Sequence, residues 1–212
     1  VACTIVVPLG NSVEKNAAMR SLGATLIEHG SDFQEAREHA MALAAQTGAL
    51  MVPSFGPTLV NGVATYWWEL FKAVPLLDVA YVPIGLGSGA CAAIAAKLAL
   101  GHRARLVGVV STGATTYAQS IQAGPVVPSP VTTVLADGMA VRVADADALA
   151  LLKEHLDRIV QVSDAEVAQA MRDIFTDTHN VAEGAGAASF AAAMQERGDL
   201  RGLVVGTTLC GG

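Results

Sequence analysis

The residues best suited to chemistry form a glycine-rich stretch between two apolar segments. In "VPIGLGSGACAAIAAKLALG" (82–101), Gly85, Gly87 and Gly89 separate a predicted buried strand from an alanine-rich predicted helix. Bare backbone at such a turn lets several N–H groups point at one anion, and the positive end of the helix dipole adds to the attraction. The Ser88 hydroxyl is a further donor. The pattern predicts a phosphate site; a tight turn that lets helix and strand pack closely is the alternative.

The spacing distinguishes a single phosphate group from a nucleotide. G-x-G-x-G lacks the third glycine position of a dinucleotide fingerprint and the Lys-Ser/Thr pair of a P-loop. A dinucleotide site also needs an acidic residue at the end of the next strand, and that segment ends in "VVST". We therefore expect a lone phosphate group at this loop.

Alternating strands and helices must position the loop. Strands are predicted at "CTIVVP", "ATLIEHG", "ALMVPS", "DVAYVPIG", "RLVGVVS" and "RGLVVGTTL", and helices between them, including 145–156, 163–176 and 184–196. The second helix is predicted to have Ser31 as its N-cap and to end at Gly48. The helix "NGVATYWWELFKAV" is predicted to stop at Pro75, and 112–130 reads as a long connection. Strands joined by crossover helices form a parallel sheet covered on both faces. "PSFGPTLVNG" predicts a boundary between two α/β lobes.

Composition excludes several classes of function. The 212 residues are 52% apolar and 15% charged, with a net charge of −6 and no basic stripe, so we expect no nucleic acid partner. No apolar run is long enough to cross a membrane. Cys3, Cys91 and Cys210 show neither a disulfide framework nor zinc-ligand spacing, and a reducing cytoplasm is the expected location.

Six segments together resemble the threonine/serine dehydratase branch of the fold-type II pyridoxal phosphate (PLP) enzymes. "CTIVVPLGNSVEKNAAMRSLGATLIEHG" is similar to a family strand ending in V-V-P before a K-x-x-A-x-x-x-x-G-A helix. "NGVATYWWELF" resembles the family's G-Q-G-T-x-x-x-E, and "DVAYVPIGLGSG" its D-x-x-x-V-P-x-G-G-G-G phosphate loop. "LADG" (135–138), "AEGAGAA" (182–188) and "LCGG" (209–212) resemble x-A-D-G, E-x-x-G-A and S/C-G-G-N. The matches keep the family's order along the whole chain.

The resemblance implies which residues bind the cofactor. Gly85–Gly89 would hold the PLP phosphate, although Leu86 and Ser88 interrupt the family's run of glycines. Cys210 would lie near the pyridine nitrogen, where a thiol does not force that nitrogen to stay protonated. A weaker electron sink of this kind suits β-elimination. Read from position alone, a small buried residue at a strand end is the favoured interpretation of Cys210.

The resemblance also implies residues around the substrate. Glu183 would lie close to the cofactor or substrate as a catalytic residue, and Asp137 and Gly138 would border the substrate. The alternatives are an acid favoured by a helix N-terminus and a structural Asp-Gly turn. The cation site of some family members falls at about Ser111, and a hydroxyl is a poor substitute for a carboxylate ligand. We therefore expect no metal there.

Two family motifs are missing, and they carry the essential lysine. The family has its Schiff-base lysine in S-x-K-x-R and binds the substrate carboxylate with S-G-N-H; none of the four lysines here has that context. Both motifs would lie upstream of Val1. The prediction is an incomplete fold-type II (tryptophan synthase β-like) protein with two α/β lobes. Residues 1–55 would be the remainder of the small domain, and 56–212 the large domain that binds the PLP phosphate.

The predicted activity belongs to the parent protein, and this chain alone is expected to be inactive. The resemblance implies a lyase that removes water from a 3-hydroxy amino acid and yields a 2-oxo acid and ammonia. A PLP-dependent amino-acid racemase and a non-catalytic module that binds a phosphate ligand are the alternatives. A homodimer is expected, since the family often pairs. The helix with Tyr66, Trp67, Trp68 and Phe71 is predicted to pack in the core or to meet another subunit.

Overall fold

Two units make up the computed structural model, which describes residues 1–211. They are Val1–Pro53 and Ser54–Gly212, each with its own internal packing. The roles expected for 1–55 and 56–212, as parts of a small and a large domain, stay predictions.

The first unit is a β-α-β-α arrangement. Its elements are β1 (Thr4–Val7), α1 (Val13–Ser21), β2 (Thr25–Glu28) and α2 (Phe33–Thr47). β1 and β2 pair in parallel, with Thr4 opposite Thr25.

The caps of α2 show how side-chain chemistry sets the helix ends. The prediction of Ser31 as N-cap is wrong, because the extended Asp32 accepts the Glu35 N–H at 2.9 Å. Ser31 instead donates to the Glu35 carboxylate at 3.0 Å. At the other end the left-handed Gly48 (φ 70°) closes the helix, which confirms the prediction for that residue.

The third predicted strand of this unit, "ALMVPS", is wrong. Residues 49–54 adopt no regular structure, and the side chains of Leu50 and Val52 are 90% and 76% exposed. A strand needs a neighbour to accept and donate its backbone hydrogen bonds, and the described residues provide none for this segment.

The second unit carries a four-stranded parallel sheet. Its strands are β3 (Val79–Pro83), β4 (Arg105–Ser111), β5 (Arg158–Val162) and β6 (Val205–Thr207), in the order β5-β4-β3-β6. Its helices are α3 (Pro57–Ala73), α4 (Ser88–Leu100), α5 (Thr116–Ala123), α6 (Ala146–His155), α7 (Asp164–Thr178) and α8 (Gly184–Gln195). β3 pairs with β4 on one side and with β6 on the other, so that Val79 lies opposite both Arg105 and Val205.

Several predicted elements of this unit are confirmed and two were missed. The α6, α7 and α8 helices lie where 145–156, 163–176 and 184–196 were predicted, and β4 coincides with "RLVGVVS". The stretch 112–130 is not one long connection, because it contains α5. β5 was not predicted at all; it is a short strand that pairs with β4.

Helices cover the sheet on both faces, as predicted. One apolar core packs α3, α4 and α6 against the sheet, and its largest fully buried side chains include Trp67, Phe71, Ile94, Leu106 and Leu152. The other core packs α7 and α8 against the opposite face and includes Tyr81, Val107, Val162, Val167 and Ala188. The many alanines of α4 and α8 let these helices lie close to the strands.

A polar cluster ties the end of α8 to the sheet. The Glu196 carboxylate accepts hydrogen bonds from the Tyr81 hydroxyl and from the Arg158 guanidinium, whose Nε donates at 3.0 Å. The hydrogen bonds from Arg158 are the main cause that lowers the pKa of Glu196 below its ordinary value. Burial acts in the opposite direction and is the smaller effect. Burial and the hydrogen bond to Glu196 raise the pKa of Tyr81 to about 12.

Candidate cofactor site

The glycine loop lies at the carboxyl edge of the parallel sheet. β3 ends at Pro83, and α4 begins at Ser88 with the left-handed Gly87 as its N-cap. Because all four strands run in the same direction, their following loops meet at this edge, which is where ligands bind in open parallel sheets.

Two of the loop glycines are required by close neighbours. Gly87 has φ 104°, and a Cβ there would lie 2.9 Å from the Ala148 Cβ and 3.2 Å from the Tyr117 hydroxyl. A Cβ on Gly85 would collide with the backbone carbonyl oxygen of Gly138. The loop therefore packs against the Gly138 backbone at a distance that only glycine permits.

Two aromatic donors hold the loop at its two ends. The Tyr117 hydroxyl donates to the Leu86 carbonyl at 2.6 Å and accepts the Asp145 N–H at 3.1 Å. The Trp67 Nε1–H donates to the Gly89 carbonyl at 3.1 Å. These bonds orient the peptide groups of the loop before any ligand arrives.

The first turn of α4 keeps its N–H groups available. The N-cap residue Gly87 has no side chain and therefore makes no side-chain cap hydrogen bond to this turn. The Cys91 N–H already bonds to the Gly87 carbonyl at 2.9 Å, so the unused donors belong to the residues between them.

A cavity of about 330 Å³ opens in front of this turn, a size within the range of small-molecule sites. It brings together seven of the nine residues proposed from the sequence: Gly85, Leu86, Gly87, Ser88, Gly89, Gly138 and Cys210. Val63, Tyr66, Met139 and Ala185 line it as well. The loop and the thiol near the carboxyl terminus therefore share one cleft.

The Cys210 thiol faces this cavity in a protonated form. It is within weak hydrogen-bonding distance of the Ala185 carbonyl oxygen, at 3.9 Å. Cys210 keeps solvent-accessible surface, yet burial of the thiol, followed by the negative charge of Glu183, raises its pKa. A neutral thiol can donate a hydrogen bond into the cleft.

Glu183 and Asp137 do not line the cavity. Glu183 is the N-cap residue of α8 and makes no side-chain cap hydrogen bond; its N–H donates to the Gly211 carbonyl at 3.0 Å. A Cβ on Gly138 would lie 3.6 Å from the Glu183 Oε1, so the carboxylate stands beside the cavity wall. The exposed Asp137 accepts the Gly138 N–H at 2.9 Å, the geometry of a structural turn.

A carboxylate on α7 anchors the loop that forms this wall. Asp164 accepts the Thr133 hydroxyl at 2.5 Å and the N–H groups of Val134 and Leu135 at 3.0 and 3.3 Å. Burial acts to raise the pKa of Asp164, but these hydrogen bonds prevail and lower it. The short 3-10 turn Asp137–Met139 follows directly and carries Gly138 against Gly85.

Other site predictions concern metals, lysines and membranes. Ser111 is buried, its hydroxyl oxygen accepts the Gly113 N–H at 3.0 Å, and residues 1–211 contain no metal-binding group of three or more His, Cys, Asp or Glu. Among the described residues that line the cavity there is no lysine. Within the same part of the chain, no helix combines the length and the apolar character required to cross a bilayer.

Tyr66 is a polar residue of the cavity that the sequence analysis does not single out. The prediction for its helix is packing in the core or contact with another subunit. Trp67 and Phe71 are buried, whereas Tyr66 lines the cavity and, like Trp68, keeps exposed surface. Val63 and Tyr66 are three residues apart and so share a face of α3. That spacing could have indicated a common surface, but not which surface.

The donor set fits a phosphate monoester attached to an uncharged ring. The glycine loop and Ser88 line one part of the cavity. Apolar side chains, the Tyr66 phenol and the neutral Cys210 thiol line the rest, and none of the described lining residues is acidic. The fold and the site thus define a class: a parallel α/β protein that holds a phosphorylated ligand with helix-terminal amides.

Comparison with known proteins places the chain within that class. The profile of the family described as "Pyridoxal-phosphate dependent enzyme" matches residues 1–211, so the chain belongs to this family. Pyridoxal phosphate is the family's cofactor. The chain is 34% identical over 208 residues to L-threonine ammonia-lyase of Geobacter sulfurreducens, covering 97% of this chain and 52% of that protein.

Solved structures agree with the family assignment. The processed form of threonine deaminase isoform 2 from Solanum lycopersicum superposes with a TM-score of 0.89 at 25% identity, over 99% of this chain and 62% of that one. A pyridoxal 5'-phosphate-dependent aspartate racemase superposes with a TM-score of 0.91 at 25% identity, over 100% of this chain and 67% of the racemase chain. The chain spans about half the length of the Geobacter relative.

Proposed function

We propose that the full-length protein is a PLP-dependent lyase that eliminates water from a 3-hydroxy amino acid of the threonine or serine type. The observation that carries the proposal is the single cleft shared by the glycine loop and the Cys210 thiol. The similarity to L-threonine ammonia-lyase supports the choice of reaction. The α-hydrogen and β-hydroxyl leave as water, and hydrolysis of the remaining enamine consumes one water and releases ammonia with the 2-oxo acid.

The residues of this chain bind and orient the cofactor in this proposal. The amides of the Gly85–Gly89 loop and the Ser88 hydroxyl bind the phosphate, and the bonds from Tyr117 and Trp67 keep the loop rigid. Pyridoxal phosphate, when bound, supplies an electron sink for charge that develops at the α-carbon. The Cys210 thiol keeps its proton at neutral pH and can donate to the ring nitrogen without protonating it.

The remaining assignments concern the rim of the cleft and the assembly. We assign Glu183 to the catalytic rim, and Gly138 with Asp137 to the substrate side, since Gly138 lies between the loop and α8. The reactive lysine belongs to a segment outside this sequence. A homodimer in the cytoplasm is the proposed state of the whole protein.

Product analysis with the full-length protein tests the proposal. It should bind PLP with visible absorption that borohydride removes while labelling a lysine, and it should convert L-threonine or L-serine to a 2-oxo acid and ammonia. Accumulation of the D-enantiomer or epimer without ammonia would favour the racemase instead, as the similarity to an aspartate racemase allows. Phosphate-ligand binding without a labelled lysine would favour the non-catalytic module.

A further inference from the structure

Tyr66 lies in the cofactor cleft, but neither the family motifs nor the proposed reaction gives it a role. It belongs to α3, a helix that packs against α4, and it lines the same cavity as the glycine loop and Cys210. The matching family motif leaves this position unspecified. The motif therefore assigns no role to the Tyr66 phenol.

The Tyr66 hydroxyl lies close to Gly89, the last residue of the glycine loop. A Cβ built on Gly89 would lie 3.9 Å from the Tyr66 hydroxyl oxygen, and apart from the chain neighbours and the backbone of α4 itself no other described heavy atom comes within 4 Å. The space between the Gly89 backbone and the phenol is thus about the size of one methyl group or one phosphate oxygen. An oxygen there could accept from a first-turn N–H of α4 and from the phenol together.

The neighbouring tryptophan fixes this geometry. The ring of Tyr66 packs against that of Trp67 with centroids 5.1 Å apart, and the Trp67 Nε1–H holds the Gly89 carbonyl at 3.1 Å. Trp67 is fully buried, so the Gly89 backbone that it binds is held in place, and the 39% exposed Tyr66 packs one side of its ring against this fixed indole.

The phenol is protonated at every physiological pH. Burial and, second, repulsion from Cys210, which is a charged thiolate only in the alkaline range where the phenol titrates, raise the pKa of Tyr66 to about 12, against a smaller opposite effect of Trp67. A neutral phenol beside an anion acts as a hydrogen-bond donor. It supplies an uncharged donor on the side of the cleft that faces the amides.

We infer that Tyr66 is a cofactor-binding residue whose hydroxyl donates a hydrogen bond to the phosphate group held by the Gly85–Gly89 loop. The inference rests on the proposed PLP site. It assigns the phosphate a side-chain donor from α3 in addition to the backbone donors of α4 and the Ser88 hydroxyl.

The test compares PLP with pyridoxal, which lacks the phosphate, in the full-length protein freed of its cofactor. A hydrogen bond to a charged group contributes roughly 1.5–3 kcal/mol, which corresponds to a factor of about ten or more in affinity. Tyr66→Phe should raise the Kd for PLP about tenfold, leave the Kd for pyridoxal within about twofold, and shift the ³¹P resonance of the bound phosphate. The effect should be constant from pH 7 to 9, since the phenol does not titrate there.

Controls separate this inference from the proposed function. Trp68→Phe changes an exposed aromatic residue of the same helix and should alter neither Kd. The isosteric Tyr66→Phe is expected to fold, which circular dichroism checks. An equal loss of affinity for PLP and pyridoxal, or an unchanged Kd for PLP, overturns the role of Tyr66 alone. Failure of the unaltered protein to bind PLP overturns the proposed function together with it.

Discussion

A single added methyl group tests whether the glycine loop is a binding cradle or only a tight turn. Gly89 is the second residue of α4, its φ lies outside the left-handed region, and a Cβ there would make only an ordinary contact of 3.9 Å with the Tyr66 hydroxyl. Gly89→Ala should therefore fold. Replacing a helical glycine with alanine stabilises by roughly 0.5–1 kcal/mol, and this position at the helix end should gain less.

The same methyl group should damage cofactor binding. It would occupy the gap where the proposed phosphate oxygen meets the first-turn amides, and so displace at least one charge-assisted hydrogen bond. Such a bond contributes roughly 1.5–3 kcal/mol, so the Kd for PLP should rise about tenfold to a hundredfold. A variant that is as stable as the unaltered protein, or more so, and yet binds PLP poorly is the signature of a cradle.

The matched control is Gly62→Ala in α3, another helical glycine with nothing within 4 Å of an added Cβ and no place in the cavity lining. Thermal unfolding followed by circular dichroism and a PLP titration of the full-length protein measure both quantities for each variant. Unchanged PLP affinity in Gly89→Ala would refute the cradle. If Gly89→Ala melted well below Gly62→Ala, the conclusion that the structure has room for a methyl group at Gly89 would be wrong.

Two further predictions follow from the carboxylates of α7 and α8. Asp164→Ala leaves two backbone N–H groups and a hydroxyl without their acceptor, and should cost about 2 kcal/mol of unfolding free energy. Glu166→Ala removes the capping-box partner of Ser163 at a similar cost of about 1–2 kcal/mol. Only Asp164→Ala should weaken PLP binding, by at most about 30-fold for 2 kcal/mol, because the loop that forms the cavity wall loses its anchor. Equal PLP affinities in titrations of the two variants would contradict this. The folded pKa of Glu196 is lowered by Arg158, so its contribution is present above the unfolded pKa and lost as pH falls through the folded pKa. In urea unfolding at pH 6 and 4, Glu196→Gln should be less stable at pH 6 and lose less on acidification than the unaltered protein; an unchanged pH dependence would count against it.

Local chemistry made much of the fold predictable. The end of α2 at Gly48, the end of α3 directly before Pro75, the glycine run after β3 and the alternation of apolar strands with helices are all properties of short stretches of chain. The predicted strand over 49–54 is wrong for the opposite reason. Its residues favour an extended conformation, but a strand exists only where another strand pairs with it.

The site was predictable in its parts and not in its assembly. The sequence alone determined that a bare loop precedes a helix, because glycine conformation and helix polarity are local, and the order of motifs identified the family. Only the tertiary structure decided that Cys210 and Tyr66 face that loop while Asp137 and Glu183 stand outside the cavity lining. Such placement depends on strand order and helix packing, which join residues far apart in the chain and leave no periodic signal in any one segment.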